Sequence, residues 1–133
     1  MNAVIVTGAT SMLGIATIQV CIENGVRVIA LTRANSRRKS YLPKSELLML
    51  IECDLSDLSK VNLPEDDYDV FFHFGWGFTD RTTRDDPVLQ SKNIGYTLDA
   101  VQLAHKYGCR KFLGAGSQAE YGRVAQKQKI SSN

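Results

Sequence analysis

The sequence predicts an α/β fold built on one parallel, doubly wound sheet of five strands in the order 3-2-1-4-5. Three observations carry that expectation. Apolar runs of strand length alternate with helical or crossover segments along the chain. The runs are continuous rather than alternating, as in strands covered on both faces. The first run ends in a glycine turn that opens directly into a helical pattern, Met1 to Gly14, MNAVIVTGATSMLG. Right-handed crossovers then put the switch point of the sheet between its first and fourth strands, beside that turn.

Ala3 to Val6 is the first strand, closing on Thr7-Gly8, and helical spacing begins near Met12. Strand, turn and helix start in this order present the N–H groups of a helix N-terminus to a phosphate. Gly8 allows the tight turn, and Gly14 allows close packing of helix on strand. Between them, where a glycine often lets the backbone approach a pyrophosphate, stands Ser11, whose hydroxyl can donate to a phosphate oxygen. Glycines so spaced can also be plain turn residues. The strand before and the helix after favour nucleotide binding.

In the first helix Leu13, Thr17, Val20 and Cys21 share one face, and Ile15, Ile18 and Ile22 widen the apolar arc. Asn24-Gly25 is its stop, with Gly25 in the left-handed conformation. Val26 to Leu31 is the second strand. Residues 33–46 form a polar, basic loop with a short helix near Pro43, and Leu47 to Cys53 is the third strand. A polar connection over residues 56–67 is too weakly periodic to predict a helix. Asp69 to Phe74 is the fourth strand, ending in Gly75-Trp76-Gly77. Asp86-Pro87 starts a long helix, Asp as cap and Pro at the first position. That helix is expected to reach Tyr107, with Ile94, Leu98 and Val101 as its inner stripe, and to stop at Gly108. Lys111 to Ala115 is the fifth strand. Residues 1–122 are expected to form the domain, and 123–133, without periodicity, a mobile tail.

Composition narrows the class further. A chain of 133 residues and 14.8 kDa is one domain, and 44% apolar with 23% charged residues is ordinary for a globular protein. A net charge of +2 is too small to imply a polyanionic partner, so no nucleic acid is expected. Cys21, Cys53 and Cys109 sit in apolar runs without a CxxC, which reads as small buried hydrophobes in a reducing compartment and indicates no metal. The N-terminus has no signal-peptide pattern and no run is long enough to span a membrane, so the cytoplasm is expected.

Arg33 follows Gly14 by 19 positions, at the end of the second strand. An acidic residue about there binds the adenosine ribose diol and repels a 2′-phosphate; an arginine attracts one. With Arg37 and Arg38 nearby, NADP(H) is preferred over NAD(H), the alternative being a solvated basic loop that touches nothing. Asp54, at the carboxyl edge of the sheet, either accepts from an adenine amino group beside Leu55 or caps a short helix. His73, flanked by Phe72 and Phe74 inside a strand, reads as a satisfied core residue with no catalytic role.

Together these residues resemble the extended short-chain dehydrogenase/reductase family, in its NAD(P)-dependent epimerase/dehydratase group, nearly end to end. The resemblance rests on residues 7–14 (TGATSMLG), Asp54-Leu55, His73-Phe74-Gly75, Asp86-Pro87, Asn93-Ile94, Thr97, and Ser117 through Tyr121-Gly122. It implies a Rossmann-like fold and, in many members, action on nucleotide sugars. By resemblance Gly8, Ser11, Met12, Leu13 and Gly14 line the pyrophosphate, Arg33 the adenosine ribose, and Asp54 and Leu55 the adenine. Phe74, Gly75 and Trp76 form the wall beside the ribose and nicotinamide, and Asn93 lines the cofactor site. Ser117 hydrogen-bonds the substrate hydroxyl or carbonyl, or else is a turn serine among glycines. Dimerisation through the long helix is also implied, although packing on the sheet explains Leu98 and Val101 equally well.

The family's proton relay pairs a Tyr with a Lys four residues on, which share one helix face. Tyr107 and Lys111 have the spacing, but Gly108 stands between them and the pair precedes Ser117. Tyr121 has Ala125 four residues on, and only residues 118–133 follow the serine. The expectation is therefore the front part of such an enzyme, cut before the catalytic helix, later strands and substrate lobe. It binds cofactor and is inactive alone, with an exposed fifth-strand edge that invites self-association. The alternatives are a non-catalytic NADP(H) sensor or interaction module, and a remnant without ligand affinity.

Overall fold

The computed structural model describes residues 1–115. Ser117, Tyr121, Gly122 and the expected tail lie outside the described residues. Five strands, β1 (Ala3–Thr7), β2 (Arg27–Thr32), β3 (Leu48–Glu52), β4 (Tyr68–His73) and β5 (Lys111–Gly114), alternate with helix α1 (Met12–Glu23) and helix α2 (Pro87–Lys106). The sheet order is β3-β2-β1-β4-β5 and every pairing is parallel. The predicted order and switch point are those found.

Continuous apolar strands follow from cover on both faces. Every residue of β1 is buried. One face carries Ala3, Ile5, Ile29, Leu31, Tyr68 and Phe71 against Ala100, Leu103 and Ala104 of α2. The other carries Val4, Val6, Val28, Ala30 and Val70 against Ile18 and Cys21 of α1. The outer strands are less covered: Met49 and Leu50 in β3 and Leu113 in β5 are exposed. Among the described residues β5 pairs only with β4 and is a sheet edge.

Two helix faces differ from the expected ones. In α2, Ile94 and Leu98 are 64% and 58% exposed and Val101 is exposed too; the inner face is Asn93, Ala100, Leu103 and Ala104. Small residues let the helix approach the sheet closely, and a fully paired asparagine can be buried beside them. The larger side chains on the opposite face stay in solvent. In α1, Leu13 and Val20 are likewise exposed, whereas Gly14, Ile18 and Cys21 are buried. The connection from β3 to β4 also contributes more than its polarity suggests. It holds a 3-10 turn at Leu55–Asp57, and its Leu58 and Leu63 enter the core. Tyr107 anchors it by accepting the Leu63 N–H at 2.8 Å.

Helix ends follow local chemistry. Asp86 accepts from the N–H groups of Val88 and Leu89, with Pro87 at the first position. Gly25 and Gly108, at φ 75° and 72°, end α1 and α2 in the left-handed conformation. Among the described residues no helix is long and apolar enough to cross a membrane.

Candidate functional site

The carboxyl ends of β1 and β4 meet where the sheet order reverses, and α1 begins there. Gly8, at φ 61°, passes so close to β4 that a Cβ would lie 2.5 Å from the Phe74 carbonyl carbon and 2.6 Å from Gly75 N. A Cβ on Gly14 would lie 2.3 Å from Gly8 O and 2.9 Å from Ala9. Gly14 thus packs the helix onto the turn itself. A Cβ on Gly75 would meet Leu55 Cδ2 at 2.6 Å. Sequence-predicted Gly8, Gly14, Leu55, Phe74 and Gly75 therefore converge on one corner.

The Ser11 hydroxyl is committed within the turn. It donates to Gly8 O at 2.7 Å and accepts the Gly14 N–H at 3.0 Å, while the Ser11 N–H goes to Gly8 O. In this arrangement it serves as the helix cap. The N–H groups of Met12 and Leu13 belong to those a helix cannot bond internally, so they are what the mouth of α1 presents. No acidic residue occupies the first turn of α1, and the helix dipole adds positive potential there.

Arg33 lies one residue past β2 and is exposed, beside a loop whose 3-10 turn spans Arg37–Tyr41. Two contacts tie this loop to the glycine turn. Arg38 Nε donates to Thr10 O at 2.8 Å, and the Thr10 and Ser36 hydroxyls lie 2.9 Å apart. On its other side Lys39 Nζ donates to Ala34 O and pairs with Glu52 of β3. Asp54 is exposed after β3 and its carboxylate makes no capping bond to the 3-10 turn it precedes. Local capping, one of its two sequence readings, is thus not what engages it.

The segment after β4 is held by α2. The Asn93 side chain, 1% exposed, accepts the Gly77 N–H at 2.8 Å and donates to Gly77 O at 3.0 Å. Gln90 accepts from Trp76 Nε1 and donates to Phe78 O. Phe78 sits at φ 56°, which side chains rarely adopt. Its ring stacks on Tyr96. Trp76 is left half exposed on a braced loop. Asn93, expected to line the cofactor site, thus engages its amide with the Gly77 backbone of the loop after β4.

Thr7 is the hub that sequence reasoning missed. Its Oγ1 lies 2.7 Å from His73 Nδ1 and accepts the Gly75 N–H at 3.1 Å. Thr7 opens the motif behind the family resemblance, but a threonine closing a strand does not by itself signal a bridge to a second strand. His73 is only half satisfied: among the described residues its buried Nε2 has no partner, and burial holds the imidazole below its ordinary pKa. Gln90, Thr10 and Ser36 were likewise not predicted as site residues, and Arg38 entered only as a neighbour of Arg33 in the basic loop. Tyr107 is the C-cap of α2 and Lys111 begins β5, so the one Tyr-x-x-x-Lys in the chain does not share a helix face. Ser117 lies outside the described residues.

Comparison with known proteins fits this geometry. A UDP-N-acetylglucosamine 4-epimerase from Methanobrevibacter ruminantium M1, in complex with UDP-N-acetylmuramic acid, is similar with a TM-score of 0.79 and 23% identity, over 99% of this chain and 43% of that one. A UDP-galactose 4-epimerase gives 0.74 and 24%, over 92% and 40%. The Bordetella bronchiseptica enzyme WbmH, in complex with NAD+, gives 0.72 and 20%, over 92% and 41%. The chain thus spans less than half the length of these solved structures, and the likeness is one of fold. No curated protein matches it. The sequence profile of the NAD dependent epimerase/dehydratase family matches residues 4–133, and the chain belongs to that family.

Proposed function

We propose that the chain is the cofactor-holding portion of an enzyme acting on a nucleotide sugar, with NADP(H) preferred over NAD(H). The observation that carries this reading is the mouth of α1. It opens at the reversal of the sheet, with Gly8 and Gly14 pressed so close to neighbouring backbone that no side chain fits at either position. A dinucleotide suits that corner: backbone amides at a helix N-terminus receive the diphosphate, and glycines admit it. The Met12 and Leu13 amides bind it, Arg33 stands on the adenosine ribose side, and Asp54 and Leu55 flank the adenine. Phe74, Gly75 and Trp76 wall the nicotinamide side, which supplies hydride transfer when bound. Arginine rather than a carboxylate after β2 supports NADP(H).

Ser117 hydrogen-bonds the substrate oxygen in this reading. No Tyr-x-x-x-Lys follows it within the 133 residues, so these residues alone bind cofactor without turnover. A second reading, a non-catalytic NADP(H) sensor or interaction module, draws on the exposed Ile94, Leu98 and Val101, a stripe open to a partner or a second copy.

The chain has one tryptophan, Trp76, on the loop beside the site. Titrating NADPH and NADH while following indole fluorescence tests the reading directly. Saturable quenching, at lower concentration for NADPH, is expected. Unchanged emission with both cofactors contradicts it.

A further inference from the structure

We propose that Gln90 of α2 fixes the Trp76 indole as a stacking platform for the hexose ring of the nucleotide sugar. This rests on the nucleotide-sugar reading above and deepens it by naming what meets the sugar ring and what holds that group in place.

An indole has a single hydrogen-bonding group, its Nε1–H, and Gln90 Oε1 accepts it from Trp76 at 3.3 Å. Trp76 is nevertheless 51% exposed. Its open surface is therefore ring carbon, which takes a ligand by stacking rather than by hydrogen bonding. The Gln90 amide is fully engaged. Its oxygen also accepts from Asn93 Nδ2 at 3.1 Å, and its Nε2 donates to Phe78 O at 2.6 Å and Thr83 O at 3.3 Å. One side chain thus orients the ring and ties down the loop that follows it. Phe78, in the left-handed conformation, stacks on Tyr96 and seats that loop on α2. A ring already fixed gives up less entropy when a ligand packs on it. Bracing alone needs only the bonds to Gly77, Phe78 and Thr83; it gives no reason for an indole half in solvent.

Position selects the sugar. The wall has an inner end at Gly75, whose Cβ position lies 2.6 Å from Leu55 Cδ2 and 3.4 Å from Gly8 N, at the corner that takes the diphosphate. Its outer end is Trp76, tied to α2 rather than to β1. Hydride transfer puts the reacting carbon of the sugar against the nicotinamide, so the hexose meets the wall at that outer end. A pyranose carries C–H groups on its faces and hydroxyls around its rim. It packs a face on an indole while its hydroxyls stay free for other partners.

The experiment is calorimetric titration of the intact, NADP+-loaded protein with UDP-galactose and with UDP, for wild type, W76L, Q90M and Q90E. Wild type is expected to bind both. W76L and Q90M each weaken UDP-galactose by about fivefold or more, and UDP by less than about twofold. Q90E, which keeps the acceptor for the indole, recovers most of the loss. In NMR spectra the Trp76 Nε1–H signal should move with UDP-galactose but not with UDP, and in Q90M it should exchange faster with water. Circular dichroism confirms that the variants are folded. If W76L or Q90M weakens both ligands alike or neither, if Q90E recovers nothing, or if the indole signal ignores the hexose, the proposal is overturned and the dinucleotide reading stands. If neither UDP ligand binds while NADP+ still shifts the Met12 and Leu13 amides, the sugar assignment falls alone. If NADP+ does not bind, the dinucleotide reading fails and this inference with it.

Discussion

The Thr7 hydroxyl, 2.7 Å from His73 Nδ1, joins the carboxyl ends of the central strand β1 and its neighbour β4 at the point where the sheet reverses. The same oxygen accepts the Gly75 N–H, so one side chain sets the spacing of β1, β4 and the loop that begins the cofactor wall. Replacing Thr7 with valine preserves shape and leaves the Gly75 N–H and a ring nitrogen of His73 unpaired. Such a loss costs about 2 kcal/mol when the groups are buried. Urea denaturation of Thr7→Val should show that loss, and Thr7→Ser should recover most of it.

His73 gives stability a pH dependence. Burial holds its folded-state pKa below the ordinary 6.5, so the unfolded chain binds the proton more readily. Stability from the neutral ring is therefore fully present above pH 6.5 and declines as pH falls below it, towards the folded-state pKa. Asp66, Asp69 and Asp80, whose pKa values are lowered chiefly by hydrogen bonds, act only further down, below their ordinary 3.8. Melting curves of His73→Gln between pH 7 and 5 should be flatter than wild type, a window taken from the ordinary histidine pKa. Equal slopes for the two proteins would exclude the assignment.

The glycines separate conformational strain from steric conflict. Gly25, at φ 75°, has open space where a Cβ would go. Gly25→Ala should cost about 1 kcal/mol for the left-handed backbone alone. Gly8 combines φ 61° with backbone atoms 2.5 Å from its Cβ position. Gly8→Ala must push β1 and β4 apart, at a cost of about 3 kcal/mol or more. Thermal melts of the two variants would rank them.

The two faces of α2 predict opposite outcomes. Ile94→Gln, on the solvent face, should change stability by no more than about 0.5 kcal/mol in the monomer. Leu103→Ala, 4% exposed and in the core, should cost about 2–5 kcal/mol. Sequence periodicity pointed the other way, and the reason is physical. Ala100, Ala104 and Asn93 carry weak hydrophobic signals, yet small residues and a paired amide are what a helix close to a sheet and a loop can bury. Ile94 and Leu98 are strong signals and remain in solvent.

Strands and turns were legible because their causes are local. A run such as Ala3 to Val6 buried on both faces must be apolar throughout, and Gly8 and Gly25 stand where φ is positive. The corner built from Gly8, Gly14, Phe74 and Gly75 was readable for the same reason. The hydroxyl and amide bridges were not. Thr7 to His73, Thr10 to Ser36 and Asn93 to Gly77 join residues 66, 26 and 16 positions apart, and such pairings leave no period in a sequence. At short range, too, composition does not show that the Ser11 hydroxyl has two partners within its own turn.

In the proposed function the amides at the start of α1 hold a diphosphate. Two-dimensional amide NMR of the labelled protein during NADP titration tests it most directly. The Met12 and Leu13 resonances should shift furthest and saturably, with Arg33 and Gly75 following. Unmoved Met12 and Leu13 signals, or shifts confined to another surface, would contradict it.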